Sequence, residues 1–151
     1  MAWTLWNLFL ALLPIPFGVA VGRRLREGAT GACHRVGTVA LAGVGLLLLP
    51  NGPYLLTEIR HFVLDPTFRE LTARATQEAA ALRLSALCGA LYVAYGAIGL
   101  AAYVVALRPV ETALVARGAS RPAVRAVLTP TVALGVWLGL VPRLNSWDAL
   151  L

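Results

Sequence analysis

The side chains able to do chemistry are few and gather in three short stretches. Trp3, Trp6 and Asn7 stand near the start, and Pro50-Asn51-Gly52-Pro53-Tyr54 with Glu58-Ile59-Arg60-His61 follow in the middle. Asn145-Ser146-Trp147-Asp148 comes near the end. A carboxylate can serve as acid or base, an amide both donates and accepts, and an imidazole can carry a proton or ligate a metal. Glu58 and His61 have the Glu-x-x-His spacing of di-metal helical bundles, but such a centre needs two of these pairs and further carboxylates. The chain has one such pair and no His-Glu-x-x-His, so no metal is expected and His61 reads as a solvated interfacial residue. Ser85 and Ser146 have no neighbouring base that would activate a hydroxyl. Phosphate loops, dinucleotide fingerprints and haem-attachment motifs are missing too, and no cofactor is expected.

The elements that must position these residues are apolar. Of 151 residues, 59% are hydrophobic and 13% charged, with mean hydropathy +0.76. Soluble domains carry about 25% charged residues, so this composition belongs in a bilayer and excludes a disordered chain. The sequence pI of 10.4 does not indicate nucleic-acid binding, because the basic residues separate apolar runs and form no patch. Charge-free stretches cover residues 3–21, 36–57, 84–107 and 126–142. A helix crosses the hydrocarbon with about 20 apolar residues, so four spans are expected in one membrane-embedded, all-α domain over 1–151. The first stretch lacks a basic leader and its charges come after it, which favours an uncleaved span over a signal peptide.

All 13 basic residues are arginine. With four spans, the 22–35 and 108–125 loops share a side and hold Arg23, Arg24, Arg26, Arg35, Arg108, Arg117, Arg121 and Arg125 against Glu27 and Glu111. The net charge there is +6, and the opposite side balances to zero. The positive-inside rule then sets both termini and the 58–83 segment outside a cell membrane, with these arginines acting as topology signals. Cys33 and Cys88 fall nearly a bilayer apart, whereas a disulfide needs Cα atoms within about 7 Å, so no internal bridge is expected.

Between spans two and three, Asp65-Pro66 has the form of a helix start, an acidic cap followed by proline. Phe68, Leu71, Ala75, Ala79 and Leu82 then recur on one side, and an amphipathic helix over 66–83 is expected at the outer surface. In span three, Tyr92, Tyr95, Gly99 and Tyr103 share a side that reads as a packing face whose hydroxyls need partners.

Proline interrupts the spans, most sharply at Pro50-Asn51-Gly52-Pro53. The helix should stop near Leu49, and residues 36–49 rise only about 21 Å, short of the roughly 30 Å core. Non-helical backbone at that depth survives only inside protein or beside a wet cavity. Two roles are open: a ligand site built from freed carbonyls, or a structural kink whose loose backbone is satisfied by Asn51. Asn7, Asn51, Gly52, Tyr54, Glu58, Asn145 and Asp148 form a candidate binding set on the outer face, with Trp3, Trp6 and Trp147 as interfacial anchors.

Three of these motifs in series, Trp6-Asn7-Leu8-Phe9-Leu10-Ala11, Leu49-Pro50-Asn51-Gly52-Pro53-Tyr54 and Asn145-Ser146-Trp147-Asp148, resemble an uncharacterised integral membrane family, domain of unknown function 1361. The family usually has alanine where Gly52 stands, a Trp-Tyr-Asp stretch before its third span, and Gly-Arg where Val141-Pro142-Arg143 leads into the last motif. A shortened, divergent member fits these departures. The resemblance implies an integral membrane protein and brings no activity with it.

Three function classes follow. The first is a small membrane scaffold or accessory subunit with a polar–aromatic cluster on its outer face. The second is a binder or transporter of a small molecule or lipid headgroup at that cluster. The third is a membrane enzyme using Asp148 or Glu58 as acid or base. The expected partners are the lipid bilayer and a membrane protein or second copy of the chain, with no nucleic acid.

Overall fold

The structure, a computed structural model, describes residues 2–28 and 31–141. Every regular element among them is a helix, and four helical stretches are long and apolar enough to cross a membrane. The first span is α1 (Ala2–Leu12) followed by α2 (Pro14–Glu27). Pro14 has no N–H to give, so the ladder lapses at Leu13, which still donates to the Phe9 carbonyl at 3.0 Å.

The second span comprises α3 (Ala32–Leu48), α4 (Asn51–Thr57) and α5 (Ile59–Leu64). The break stands where the proline pair requires it, but it is narrow. Helix resumes at Asn51, and Tyr54 donates to the Pro50 carbonyl at 3.0 Å. A residue before proline resists helical geometry partly through its Cβ, which Gly52 lacks, so the chain turns at Leu49-Pro50 and continues. The freed backbone is correspondingly short.

α6 (Pro66–Arg74) starts as expected, with the Asp65 carboxylate accepting from the backbone N–H of Thr67 at 2.8 Å and of Phe68 at 3.2 Å. These donors, Phe68 first, hold the Asp65 carboxyl below the usual carboxylate range. The expected single helix over 66–83 is corrected. It ends at Arg74, turns through residues 75–77, and Glu78 is extended (φ −121, ψ 116). The Arg74 guanidinium closes on the Glu78 carboxylate at 2.8 Å across this turn, and Ala79 and Leu82 belong to the next helix.

That helix, α7 (Ala79–Ala116), has 38 residues and rises about 57 Å. The expected span of 84–107 is extended at both ends, through Arg83 and past Arg108 and Pro109. Charge ends the apolar stretch without ending the helix. α8 (Arg121–Leu140) follows after residues 117–120, with the Ser120 hydroxyl accepting from Ala123 N–H at 3.3 Å. The two arginine loops are therefore shorter than the sequence suggests. Arg23, Arg24 and Arg26 lie on α2, Arg35 on α3, Arg108 on α7, Arg121 and Arg125 on α8, and Arg117 in the loop.

α7 is the axle of the bundle, and glycines let its neighbours come close. A Cβ on Gly18 of α2 would meet the Ala106 carbonyl, and one on Gly22 would lie 2.7 Å from the Pro109 backbone. A Cβ on Gly99 would strike the Gly52 carbonyl of α4. α3 packs on α2, where Gly45 faces Phe17, and α8 leans on α4, where Gly135 receives the Pro50 ring. Large apolar side chains such as Leu91, Val93 and Val127 face outward, which suits lipid contact.

Candidate functional site

α1 carries Asn7 into the bundle, where it is 8% exposed among apolar neighbours. Its Nδ2 donates to Oε1 of Glu58 at 2.6 Å. Glu58 occupies the joint between α4 and α5, one residue that closes the first helix and opens the second. Tyr95 of α7 completes the cluster. Its hydroxyl donates to the Thr4 carbonyl of α1 at 3.3 Å and lies beside the Glu58 carboxylate. The Tyr95 ring also packs with Ala11 and Leu55 in a buried apolar cluster, with Leu8 against it. Spans one, two and three thus meet at a carboxylate, an amide and a phenol. A hydrogen bond in a low dielectric is stronger than the same bond in water, so this cluster is a clasp.

An aromatic ladder runs from the clasp to the surface helix. Tyr95 meets Tyr92 edge-on with centroids 6.4 Å apart, Tyr92 stacks on Phe62 at 4.0 Å, and Phe62 meets Phe68 of α6 at 3.7 Å. Beside it, between α5, α6 and the start of α7, lies a cavity of about 560 Å³ whose lining includes Phe62, Asp65, Phe68, Arg74, Cys88 and Tyr92.

The structure brings Asn7 and Glu58 together and sets Asn51 elsewhere. Asn51 lies seven residues before Glu58, about 10 Å along the helix, and its Nδ2 donates to the Leu48 carbonyl at 2.9 Å. That carbonyl has lost its usual donor at the break, so the amide repairs the ladder. Gly52 is buried against Gly99 and Tyr103. Tyr54 is half-buried on α4 and interacts electrostatically with Tyr95. Trp6 is 46% exposed beside Phe9, with ring centroids 5.6 Å apart. Asn145, Trp147 and Asp148 lie outside the described residues, as do the side chains of Trp3 and His61.

At the other end the arginine-bearing segments converge. Arg125 Nε donates to Glu111 Oε1 at 3.0 Å, Arg23 pairs with Glu27 at 2.8 Å, and Arg117 reaches toward Gly28. Gly28 itself closes α2 in the left-handed region at φ 67. Cys33 and Cys88 are free thiols on opposite ends of the bundle.

Among the described residues, no group of three His, Cys, Asp or Glu is placed to hold a metal ion, and no buried side-chain N or O is left without a partner. The participation of Tyr95, Phe62 and Phe68 is beyond what their spacing shows, although a tyrosine within an apolar span already demands a partner. The close α2–α7 crossing had a signal in Gly18 and Gly22, four apart on one helix face.

Interrupted apolar helices around a polar clasp, with arginine gathered at one end, define a multi-pass helical membrane protein. Its sequence matches the family described as Protein of unknown function (DUF1361) over residues 6–151, and the chain belongs to that family. No curated protein and no solved structure matches it.

Proposed function

We propose that the chain is a small membrane scaffold or accessory subunit whose polar motifs hold interrupted spans in a fixed arrangement. The observation carrying this reading is the Asn7–Glu58 hydrogen bond at 2.6 Å, which turns two conspicuous polar side chains inward onto each other. Asn51 supports it by serving the broken ladder of its own span. A scaffold also needs surface to offer. Only 6% of the apolar window in the second span and 11% in the fourth is buried, against 28% in the first and third. A partner helix or a second copy would cover α3 and α8. By the positive-inside rule, the arginine end faces the cytoplasm and both termini face outward across the cell membrane.

The test is the mass of the assembly after extraction in a mild detergent and transfer to nanodiscs. A second copy or a stoichiometric membrane protein is expected. A lone monomer that turns over a lipid or metabolite, with turnover lost in Asp148→Asn, would instead make the protein an enzyme.

One observation favours a second reading, a binder of a small amphiphile. The cavity of about 560 Å³ sits against the aromatic ladder, and its lining joins carboxylate and guanidinium groups to aromatic rings. Stabilisation by an added amphiphile that Phe68→Ala removes would select this reading over the scaffold.

A further inference from the structure

The arginine end has a feature that the clasp does not use. Between α2, α3, α7 and α8 lies an apolar crevice of about 140 Å³, lined by Phe17, Val21, Ala42, Leu46, Leu107 and Leu128 among others. It follows from the packing. α3 rests on α2, and α8 leans on α4 and α7, so α3 and α8 barely meet and the space between them stays open. A water needs two to four polar partners, which these side chains do not offer.

The crevice runs alongside α3 from Ala42 to Leu49, a rise of about 10 Å, and every residue that lines it is apolar or glycine. A hydrocarbon chain matches that lining.

The rim is cationic. Arg24 of α2 lays its guanidinium against α3 where Gly37 leaves room, with Nη1 only 2.6 Å from where a Cβ would stand. Gly37 is about 8 Å along α3 from Ala42. Arg125 of α8 lies about 5 Å beyond Leu128, steadied through Nε by Glu111, with its side chain 64% exposed. Guanidinium groups bind phosphate oxygens in directed pairs, and each of these two stands one helical turn from a residue that lines the crevice, Val21 for Arg24 and Leu128 for Arg125.

We propose that this is a binding site for an anionic phospholipid, with one acyl chain in the crevice and the phosphate between Arg24 and Arg125. The test is native mass spectrometry of the full chain in detergent, titrated with phosphatidylglycerol or phosphatidylcholine. One phosphatidylglycerol should be retained per chain, with phosphatidylcholine at least about fivefold weaker. Arg24→Gln and Arg125→Gln should each weaken phosphatidylglycerol about fivefold and leave phosphatidylcholine unchanged. Ala42→Phe, which fills the crevice from an exposed position, should weaken both lipids. Arg69→Gln, on α6 at the other end, should weaken neither.

Equal retention of the two lipids, or an equal loss in Arg69→Gln, would overturn the proposal in favour of diffuse surface charge. An Ala42→Phe variant that changes the oligomeric state and not lipid retention would overturn it in favour of a second copy. Should the arginine variants fail to fold, the wild-type chain still decides. Phosphatidylglycerol with a photoreactive group midway along its acyl chain should label residues around Ala42, Leu46 and Leu128, and labelling confined elsewhere would refute the site.

Discussion

Glu58 stands where one short helix ends and the next begins, and its carboxylate accepts from Asn7. Hydrogen bonds between membrane helices are worth about 1–2 kcal/mol. If the clasp acts through hydrogen bonding, Glu58→Gln should be nearly neutral, because the glutamine oxygen can still accept from Asn7. Glu58→Leu should lower thermal stability in detergent by about 1–2 kcal/mol, since Asn7 is then left buried without its acceptor. Asn7→Ala should cost a similar amount. A variant of Glu58→Gln as unstable as Glu58→Leu would mean that charge, not hydrogen bonding, holds the joint. Asn7 and Glu58 were each legible in the sequence as polar groups in apolar surroundings. Their pairing was not, because 51 residues separate them and only the packing of α1 on α4 brings them together. Asn51 is the reverse case. Its partner lies three residues back, and the structural role for it could be read locally from the proline break.

At the scale of elements, the sequence marks apolar stretches well and helix ends less well. Arg83 and Arg108 close a charge-free run, yet α7 continues past both, because arginine and alanine are good helix formers wherever the helix leaves the lipid. Pro109 does not stop it either. In the other direction, the regular stripe from Phe68 to Leu82 suggested one helix where there are two. Periodicity does not report where the backbone leaves helical geometry, as it does at Glu78 with φ −121 and ψ 116. Close packing onto α7 yields a sharp prediction. Gly99→Ala sets a methyl group against the Gly52 carbonyl, backbone on backbone, and should cost at least about 1–3 kcal/mol. Gly89, also on α7, has nothing within 4 Å of where its Cβ would be, so Gly89→Ala should be neutral or slightly stabilising. Thermal unfolding of the two variants in the same detergent compares them directly. Equal loss from both would deny that the α4–α7 crossing depends on glycine.

For the whole molecule, four spans, a polar clasp near one end and eight arginines near the other form a single vertical arrangement. Composition alone made the membrane and the number of spans legible, because long charge-free runs leave few other solutions. The side of the membrane on which each end lies rests on the charge asymmetry of +6 against zero, which acts during insertion and leaves no trace in helix packing. The most direct test replaces Cys33 and Cys88 with serine and places single cysteines at Thr72, exposed on α6, and at Arg117, exposed in the last loop. Only α7 lies between these positions. In intact cells, a membrane-impermeant thiol reagent should label position 72 and spare position 117 until the membrane is opened. Labelling of 117 with protection of 72 would invert the orientation, and labelling of both from outside would mean that α7 does not cross the membrane, which contradicts the four-span account.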